Sequence, residues 1–133
     1  MDMTFSFPGG ARVDGEADGF VVRTDQPPDA TAPSPFTLFL ASIGACAGVY
    51  VQAFCRRRGI PTDDIRIVQR NHRSDDGHVQ EVEVTLELPP DFPAQYRDAV
   101  ARSADQCTVK QHLARPPRVT VSTASSAGRV AAL

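Results

Sequence analysis

The chain has 133 residues, 41% of them hydrophobic, which is enough for one domain with its own core. The formal net charge is only −2, so no basic surface favours nucleic acid or an anionic membrane, and small-molecule partners are expected. The N-terminus lacks the basic start and apolar run of a secretory signal, which predicts a cytoplasmic protein. In that reducing compartment, three cysteines favour redox, catalytic or merely buried thiols over a disulfide framework.

Turn-forming residues fill the N-terminal third of the chain. Pro8-Gly9-Gly10, Asp14-Gly15 and Asp18-Gly19 separate short β-like runs, two of which are residues 3–7 and 20–23. The pattern predicts small antiparallel strands joined by turns.

A long helix is predicted to follow, with Ser34 as its N-cap and Pro35 at its first position. Residues 36–55 carry no charge, and the three arginines and Gly59 that come next are typical of a helix C-terminus. An uncharged run of this length could also span a membrane. Because it is rich in alanine and glycine and only modestly hydrophobic, we favour a soluble core helix, buried on all sides by sheet.

The second half of the chain predicts a β-hairpin from residues 65–70 and 79–88, the second run alternating apolar and polar residues with period two. A second helix is predicted from an apolar stripe at helical spacing that ends on Cys107. A last short strand is predicted over residues 118–123 and a loose tail over about 124–133. The whole is one α+β domain over residues 1–133.

Position on the long helix separates two of the cysteines. Cys46 lies about three turns from the helix start, too far for the helix dipole to stabilise a thiolate there, so a thiolate would need a cation from elsewhere. The small residues around Cys46 leave space for a substrate beside its sulfur. Cys55 is nine residues further on, on the opposite side of the helix and roughly 13 Å along its axis. We interpret Cys55 as a buried structural thiol.

Two cysteine motifs resemble those of the OsmC/Ohr family, in its OsmC-like branch. The first runs from Ala32-Pro33-Ser34-Pro35 to Gly44-Ala45-Cys46, and the second is Ala104-Asp105-Gln106-Cys107-Thr108-Val109. The resemblance implies an OsmC-like fold, in which antiparallel sheets wrap around a long central helix and two subunits intertwine as a homodimer. It also implies a thiol-dependent peroxidase that reduces organic hydroperoxides, with no cofactor and no metal, and with a dithiol or lipoylated protein as reductant.

The same resemblance assigns roles to individual residues. Cys46 takes the place of the peroxidatic cysteine and Cys107 that of the resolving cysteine. Arg12, in a glycine-rich turn, is the candidate for the arginine that activates the thiolate, and Arg23 is the fallback. Two positions depart from the family pattern. Phe36 stands where the peroxidases carry a glutamate that orients the arginine, and Thr108 stands where a proline is usual.

Two other functions remain open from the sequence. The first is a binding module that keeps the fold and a pocket but turns over no peroxide, which the missing glutamate favours. The second is a metal site that combines Cys46 or Cys107 with one of the three histidines, His72, His78 and His112, although no pair of them has tight ligand spacing. A Cys46 that does not react with peroxide would indicate the first, and a metal assay would decide the second.

Overall fold

A computed structural model describes residues 1–125 of the chain. It is an α+β structure, as predicted, with the order β1 (Thr4–Gly9), β2 (Arg12–Ala17), β3 (Phe20–Thr24), α1 (Pro35–Arg57), β4 (Arg66–Arg73), β5 (Val79–Glu87), α2 (Arg97–Asp105) and α3 (Thr108–Ala114). A short 3-10 turn, Ala94–Tyr96, precedes α2.

The first sheet is an antiparallel meander of β1, β2 and β3. Asp18 and Gly19, with φ of 52° and 79°, form the two-residue loop between β2 and β3, a turn whose backbone matches the twist of the strands it joins. Large apolar side chains of this sheet are exposed, among them Phe7 at 84% and Phe20 at 73%. Within the described part of the chain, the extensive contacts of these strands are confined to the sheet itself.

Helix α1 begins and ends as its sequence predicts. The Ser34 hydroxyl accepts a hydrogen bond from the Thr37 N–H at 3.1 Å, and Pro35 occupies the first turn. At the other end Gly59 has φ of 64°, and the Ile60 N–H donates to the Cys55 carbonyl at 2.9 Å. This closing bond satisfies a carbonyl that the helix would otherwise leave without a partner.

The core lies along one face of α1, against α2 and the hairpin β4–β5. Its buried members are Ala47, Val51, Phe54, Cys55, Phe92, Val100 and Ala104. The opposite face of α1 is open, and Val49 is 60% exposed. The prediction that sheet buries α1 on all sides is therefore wrong within one chain, because the first sheet does not fold back over this helix. By length and composition alone α1 could span a membrane, and in the described structure one of its faces packs into the core.

Two predictions in the last third of the chain are corrected. Residues 118–123 form no strand, because no strand of the described residues pairs with them, and Val121 is 94% exposed. The second helix stops at Asp105, and Cys107 begins a separate helix instead of completing the apolar stripe. Of the predicted tail, residues 126–133 lie outside the described residues.

Candidate functional site

The fold brings together the two cysteines that the sequence singled out. Cys46 lies on α1 and is half-buried, and its thiol is near enough to Cys107 to raise the pKa of the Cys107 thiol. The three cysteines are all free thiols, so no disulfide joins the pair. Residues 61 positions apart in the sequence therefore share one site, formed where α3 begins beside the middle of α1.

Cys107 is the N-cap residue of α3. Its backbone is extended, with φ of −61° and ψ of 146°, and its Sγ accepts a hydrogen bond from the Lys110 N–H at 3.3 Å. The side chain is only 2% exposed, so the prediction that Cys107 faces inward is confirmed even though its helix is a different one.

Burial raises the pKa of the Cys107 thiol above its usual value of 9.0, because the charged thiolate loses solvation. The Lys110 N–H works in the opposite direction, and the neighbouring Cys46 thiol adds to the rise. Cys107 therefore holds its proton to higher pH than a free cysteine. A protonated thiol beside Cys46 can donate a hydrogen bond to a thiolate at Cys46.

Cys55 belongs to the core and not to the site. It is fully buried, and burial raises the pKa of its thiol, with a smaller opposing effect from Arg58. Its predicted role as a structural thiol agrees with this position. Such a thiol is a small apolar group in a core.

Two further side chains connect the helices that carry the pair. The Tyr50 hydroxyl, one turn beyond Cys46, lies 3.0 Å from the hydroxyl oxygen of Thr108, the residue after Cys107. Sequence reasoning missed this contact because its partners are 58 positions apart. The sequence offered one signal for this contact: Tyr50 lies one turn after Cys46, and Thr108 directly follows Cys107.

Both candidate arginines lie beside one carboxylate on the first sheet. Arg12 donates to Asp14 Oδ2 at 2.6 Å, and Arg23 is directly across from Asp14 in the β2–β3 register. Residues two apart on a strand, and residues directly opposite across a pair of strands, point to the same face. The described contacts thus place Arg12 at Asp14, and no arginine is among the groups that shift the pKa of Cys107. Sequence reasoning missed Asp14, although the spacing Arg-x-Asp in a strand could have indicated it.

Only one of the two carboxylate oxygens of Asp14 has a hydrogen-bond partner in the described structure. Its side chain is 16% exposed, and its second oxygen, Oδ1, is buried without a hydrogen-bond partner in the described structure. Arg12 also lies near Asp25, whose pKa is lowered mainly by the backbone N–H groups of Thr31 and Gln26 and to a smaller extent by Arg12. Arg12 is therefore held in an acidic environment.

An apolar groove of about 590 Å³ begins within one turn of Cys46. Its floor is the N-terminal half of α1, from Phe36 to Ile43, and its walls are the β4–β5 hairpin and Leu113 of α3. The rings of Phe36 and Phe39 stack at 5.7 Å, and the Arg73 guanidinium lies 5.6 Å from the centre of the Phe36 ring. The groove therefore combines aromatic surface with two charged residues, Arg73 and Glu81.

The family model of OsmC-like proteins matches residues 28–122, which include both cysteine motifs. The chain belongs to the OsmC family. A comparison with curated proteins found no match.

Solved structures with the same fold come from several bacteria. A protein from Psychrobacter arcticus 273-4, whose name refers to osmotic stress induction and a detoxification response, has a TM-score of 0.68 and 17% identity, with 82% of this chain and 85% of that chain covered. The OsmC-like protein of Mycoplasma pneumoniae has a TM-score of 0.67 and 17% identity, with 85% and 86% covered. An OsmC-like protein of unknown function from Vibrio cholerae has a TM-score of 0.58 and 12% identity, with 83% and 90% covered.

The two departures from the OsmC peroxidase pattern have specific places in this structure. Phe36 forms part of the floor of the groove, so an apolar ring lies where the sequence lacks the orienting glutamate. Thr108 is the first residue of α3, a position that tolerates proline because its N–H has no partner within the helix. Thr108 keeps this helix start and adds the contact to Tyr50.

None of the histidines forms a metal site with a cysteine in the described structure. The only cluster of three potential ligands found among residues 1–125 contains His72 and two glutamates. His78 lines the groove, and the His112 Nδ1 lies 2.7 Å from the Thr108 carbonyl, to which it donates. The alternative of a cysteine–histidine metal site therefore has no support from the geometry.

Proposed function

We propose that the chain is a thiol-dependent peroxidase that reduces organic hydroperoxides, with Cys46 as the peroxidatic thiol and Cys107 as the resolving thiol. The observation that carries the proposal is that these two thiols are neighbours, near enough for Cys46 to raise the pKa of Cys107. A sulfenic acid at one of them would form next to a thiol able to trap it as a disulfide.

The proposed cycle has three balanced steps. The Cys46 thiolate attacks one oxygen of the O–O bond, giving a sulfenic acid at Cys46 and releasing the alcohol once the leaving oxygen takes up a proton. The Cys107 thiol then attacks the Cys46 sulfur, which forms the disulfide and releases water. A dithiol reductant, such as a lipoylated protein, returns both cysteines to thiols and is itself oxidised to a disulfide.

The different environments of the two thiols support this assignment of roles. Cys46 is half-buried and can be reached by a substrate, whereas Cys107 is 2% exposed. Burial also raises the pKa of Cys107, which favours its protonated form while Cys46 reacts. The reverse assignment would require a peroxide to reach the more enclosed sulfur.

The groove supports an organic substrate over hydrogen peroxide. Ile43, one of its lining residues, is three positions from Cys46, and the groove continues towards Phe36 along apolar side chains. Burial of an apolar tail there would contribute about 25 cal/mol for each Å² removed from water, a gain that hydrogen peroxide cannot make. We therefore expect a higher catalytic efficiency for cumene hydroperoxide than for hydrogen peroxide.

We infer that two chains form the working unit, an intertwined homodimer. The exposed apolar side chains of the first sheet and the open face of α1 are surfaces that a second copy could cover. In such a dimer, Arg12 of one subunit would approach Cys46 of the other and favour its thiolate, with Asp14 holding the guanidinium in place of the absent glutamate. A reducing cytoplasm, with its supply of thiol reductants, suits this cycle.

Peroxide turnover tests the proposal directly. Reduced protein should consume cumene hydroperoxide with dihydrolipoamide as the reductant, and mass spectrometry should find a disulfide between Cys46 and Cys107 after one equivalent of peroxide. Cys107→Ser should be oxidised once and then accumulate sulfenic or over-oxidised Cys46. Absence of the disulfide in oxidised wild-type protein would contradict the resolving role of Cys107.

Mixed dimers test the origin of the arginine. Arg12→Ala and Cys46→Ser are each expected to be nearly inactive alone. If Arg12 acts across the interface, exchanging the subunits of the two variants creates intact sites and restores about a quarter of wild-type activity. If the mixture stays inactive although heterodimers form, Arg12 does not act in this way, and the same test is repeated with Arg23→Ala.

A second candidate is a ligand-binding module with little or no peroxidase turnover. The specific observation that favours it is Phe36, which extends the apolar groove where a peroxidase would orient its arginine. Such a module would bind an apolar ligand equally well with Cys46 replaced by serine. The peroxidase would instead lose its reaction with that single change.

A further inference from the structure

A cluster of potential metal ligands lies on the β4–β5 hairpin, away from the cysteines. His72 of β4 is directly opposite Glu81 of β5 in the antiparallel register, and Glu83 is two residues further along the same strand. Cross-strand partners and residues two apart point to the same face, so the hairpin places all three side chains together.

The distances between the donor atoms approach those of a coordination shell. His72 Nε2 is 3.4 Å from Glu83 Oε2 and 3.8 Å from Glu81 Oε1, and the three atoms all lie within 4.8 Å of one another. With metal–ligand bonds of about 2.0–2.2 Å, tetrahedral ligands are roughly 3.3–3.6 Å apart. Small rotations of the glutamate side chains would therefore suffice to bring three ligands onto one ion.

The carboxylate of Glu83 lies at His72 although an arginine is its cross-strand partner. Glu83 is paired with Arg70 in the register, yet its described contacts are with His72, and Arg70 forms none of the ion pairs found among residues 1–125. The ladder is also irregular between His72 and Arg73. Such a bulge changes the direction of side chains beside it and is frequent next to functional sites.

We propose that His72, Glu81 and Glu83 form a binding site for a divalent transition-metal ion of the Zn²⁺ type. An imidazole nitrogen favours Zn²⁺ over the hard cations Mg²⁺ and Ca²⁺, and the two carboxylates supply the charge that balances the ion. Three protein ligands leave one tetrahedral position for water or for a donor from another molecule. Glu81 also lines the groove, but the thiol pair contributes no ligand, so metal binding is tested without peroxide and stands or falls independently of the peroxidase proposal.

The experiment must remove the thiols, which bind Zn²⁺ themselves. Full-length Cys46→Ser/Cys107→Ser protein, stripped with a chelator, is titrated with Zn²⁺ alone by calorimetry, and Mg²⁺ is titrated in parallel. His72→Ala and Glu81→Gln/Glu83→Gln are compared in this background with His78→Ala, a matched control in the loop of the same hairpin. Circular dichroism checks that each variant keeps its fold. Proton NMR of the histidine rings reports which of them contacts the ion.

We expect one Zn²⁺ for each chain and no comparable binding of Mg²⁺. Loss of His72 or of both glutamates should weaken Zn²⁺ binding by at least about tenfold, because losing a ligand should cost no less than the 10- to 100-fold typical of outer-shell changes. His78→Ala should bind like its parent, and the His72 ring signals should shift on binding. Absence of binding at millimolar Zn²⁺, or binding that His72→Ala leaves unchanged, would reduce the cluster to ion pairs across the hairpin and overturn the proposal.

Discussion

The Tyr50 hydroxyl lies 3.0 Å from the Thr108 hydroxyl oxygen and joins the helix that carries Cys46 to the helix that Cys107 begins. Each partner is within one turn of a candidate cysteine. The contact therefore helps to fix how far the two sulfurs can separate.

Tyr50→Phe should affect the second step of the proposed cycle more than the first. The lost hydrogen bond is exposed, so the free energy of unfolding should fall by no more than about 1 kcal/mol. Oxidation of Cys46 by peroxide should keep its rate, whereas disulfide formation with Cys107 should slow, which stopped-flow measurement of the two phases can check. Thr108→Val is the matched variant, and adding it to Tyr50→Phe should cause little further change. Equal slowing of both phases would contradict this role.

Alkaline pH should destabilise the protein through its buried thiols. Burial raises the pKa of Cys55 and of Cys107 in the folded state, so the unfolded chain loses these protons first as the pH rises. Their contribution to stability is complete below pH 9.0, the usual pKa of the thiol, and declines as the pH rises from there towards the raised folded values. Urea unfolding at a series of pH values measures this decline.

The variant that isolates the contribution of Cys55 is Cys55→Ala, with the wild-type protein as its control. Cys55→Ala should be less stable at neutral pH by roughly 1–2 kcal/mol, because a small cavity replaces the sulfur, but its stability should fall less steeply above pH 9.0. An unchanged slope in Cys55→Ala would show that this thiol does not carry the effect.

Two glycines of α1 should respond differently to alanine. A Cβ at Gly48 would lie 3.4 Å from Ile67 Cδ1, an ordinary contact, so Gly48→Ala should stabilise the helix by up to about 1 kcal/mol. A Cβ at Gly44 would lie 2.5 Å from Gln69 Oε1 and displace the side chain that donates to the Leu40 carbonyl. Gly44→Ala should therefore gain less, or lose stability, in thermal unfolding. A larger gain at Gly44 than at Gly48 would contradict this packing.

Asp14→Asn tests whether Asp14 positions the arginine. The change keeps the shape of the side chain but removes the charge that holds Arg12 at 2.6 Å. If Arg12 acts on Cys46, we expect the rate of Cys46 oxidation to fall by about tenfold, since a misplaced guanidinium stabilises the thiolate less well. Asp14→Glu should recover part of the rate. A fall in melting temperature with an unchanged oxidation rate would indicate a purely structural role.

The sequence predicted local features well where local chemistry decides them. Ser34 and Gly59 mark the ends of α1 because capping needs only a few neighbouring residues. The hairpin of β4 and β5 followed from alternation of apolar and polar residues. The strand β2 was not singled out, because its sequence, RVDGEA, contains little of the apolar alternation that marks a strand.

The remaining errors involve partners that a local pattern cannot show. Residues 118–123 have the composition of a strand, but a strand also needs a neighbour for its hydrogen bonds. Cys107 fitted the apolar stripe of α2, yet the chain leaves the helix after Asp105 and turns Cys107 into a cap. That Cys46 and Cys107 are neighbours was expected only from the family resemblance, since nothing in the residues themselves fixes how α3 lies against α1.

The reaction of reduced protein with cumene hydroperoxide, compared between wild type and Cys46→Ser, decides whether Cys46 is a peroxidatic thiol. We expect the wild-type protein to consume the peroxide faster than it consumes hydrogen peroxide, and Cys46→Ser to show no turnover while keeping its fold by circular dichroism. If the two proteins react equally slowly, Cys46 is not a peroxidatic thiol, and the groove beside it belongs to a binding module.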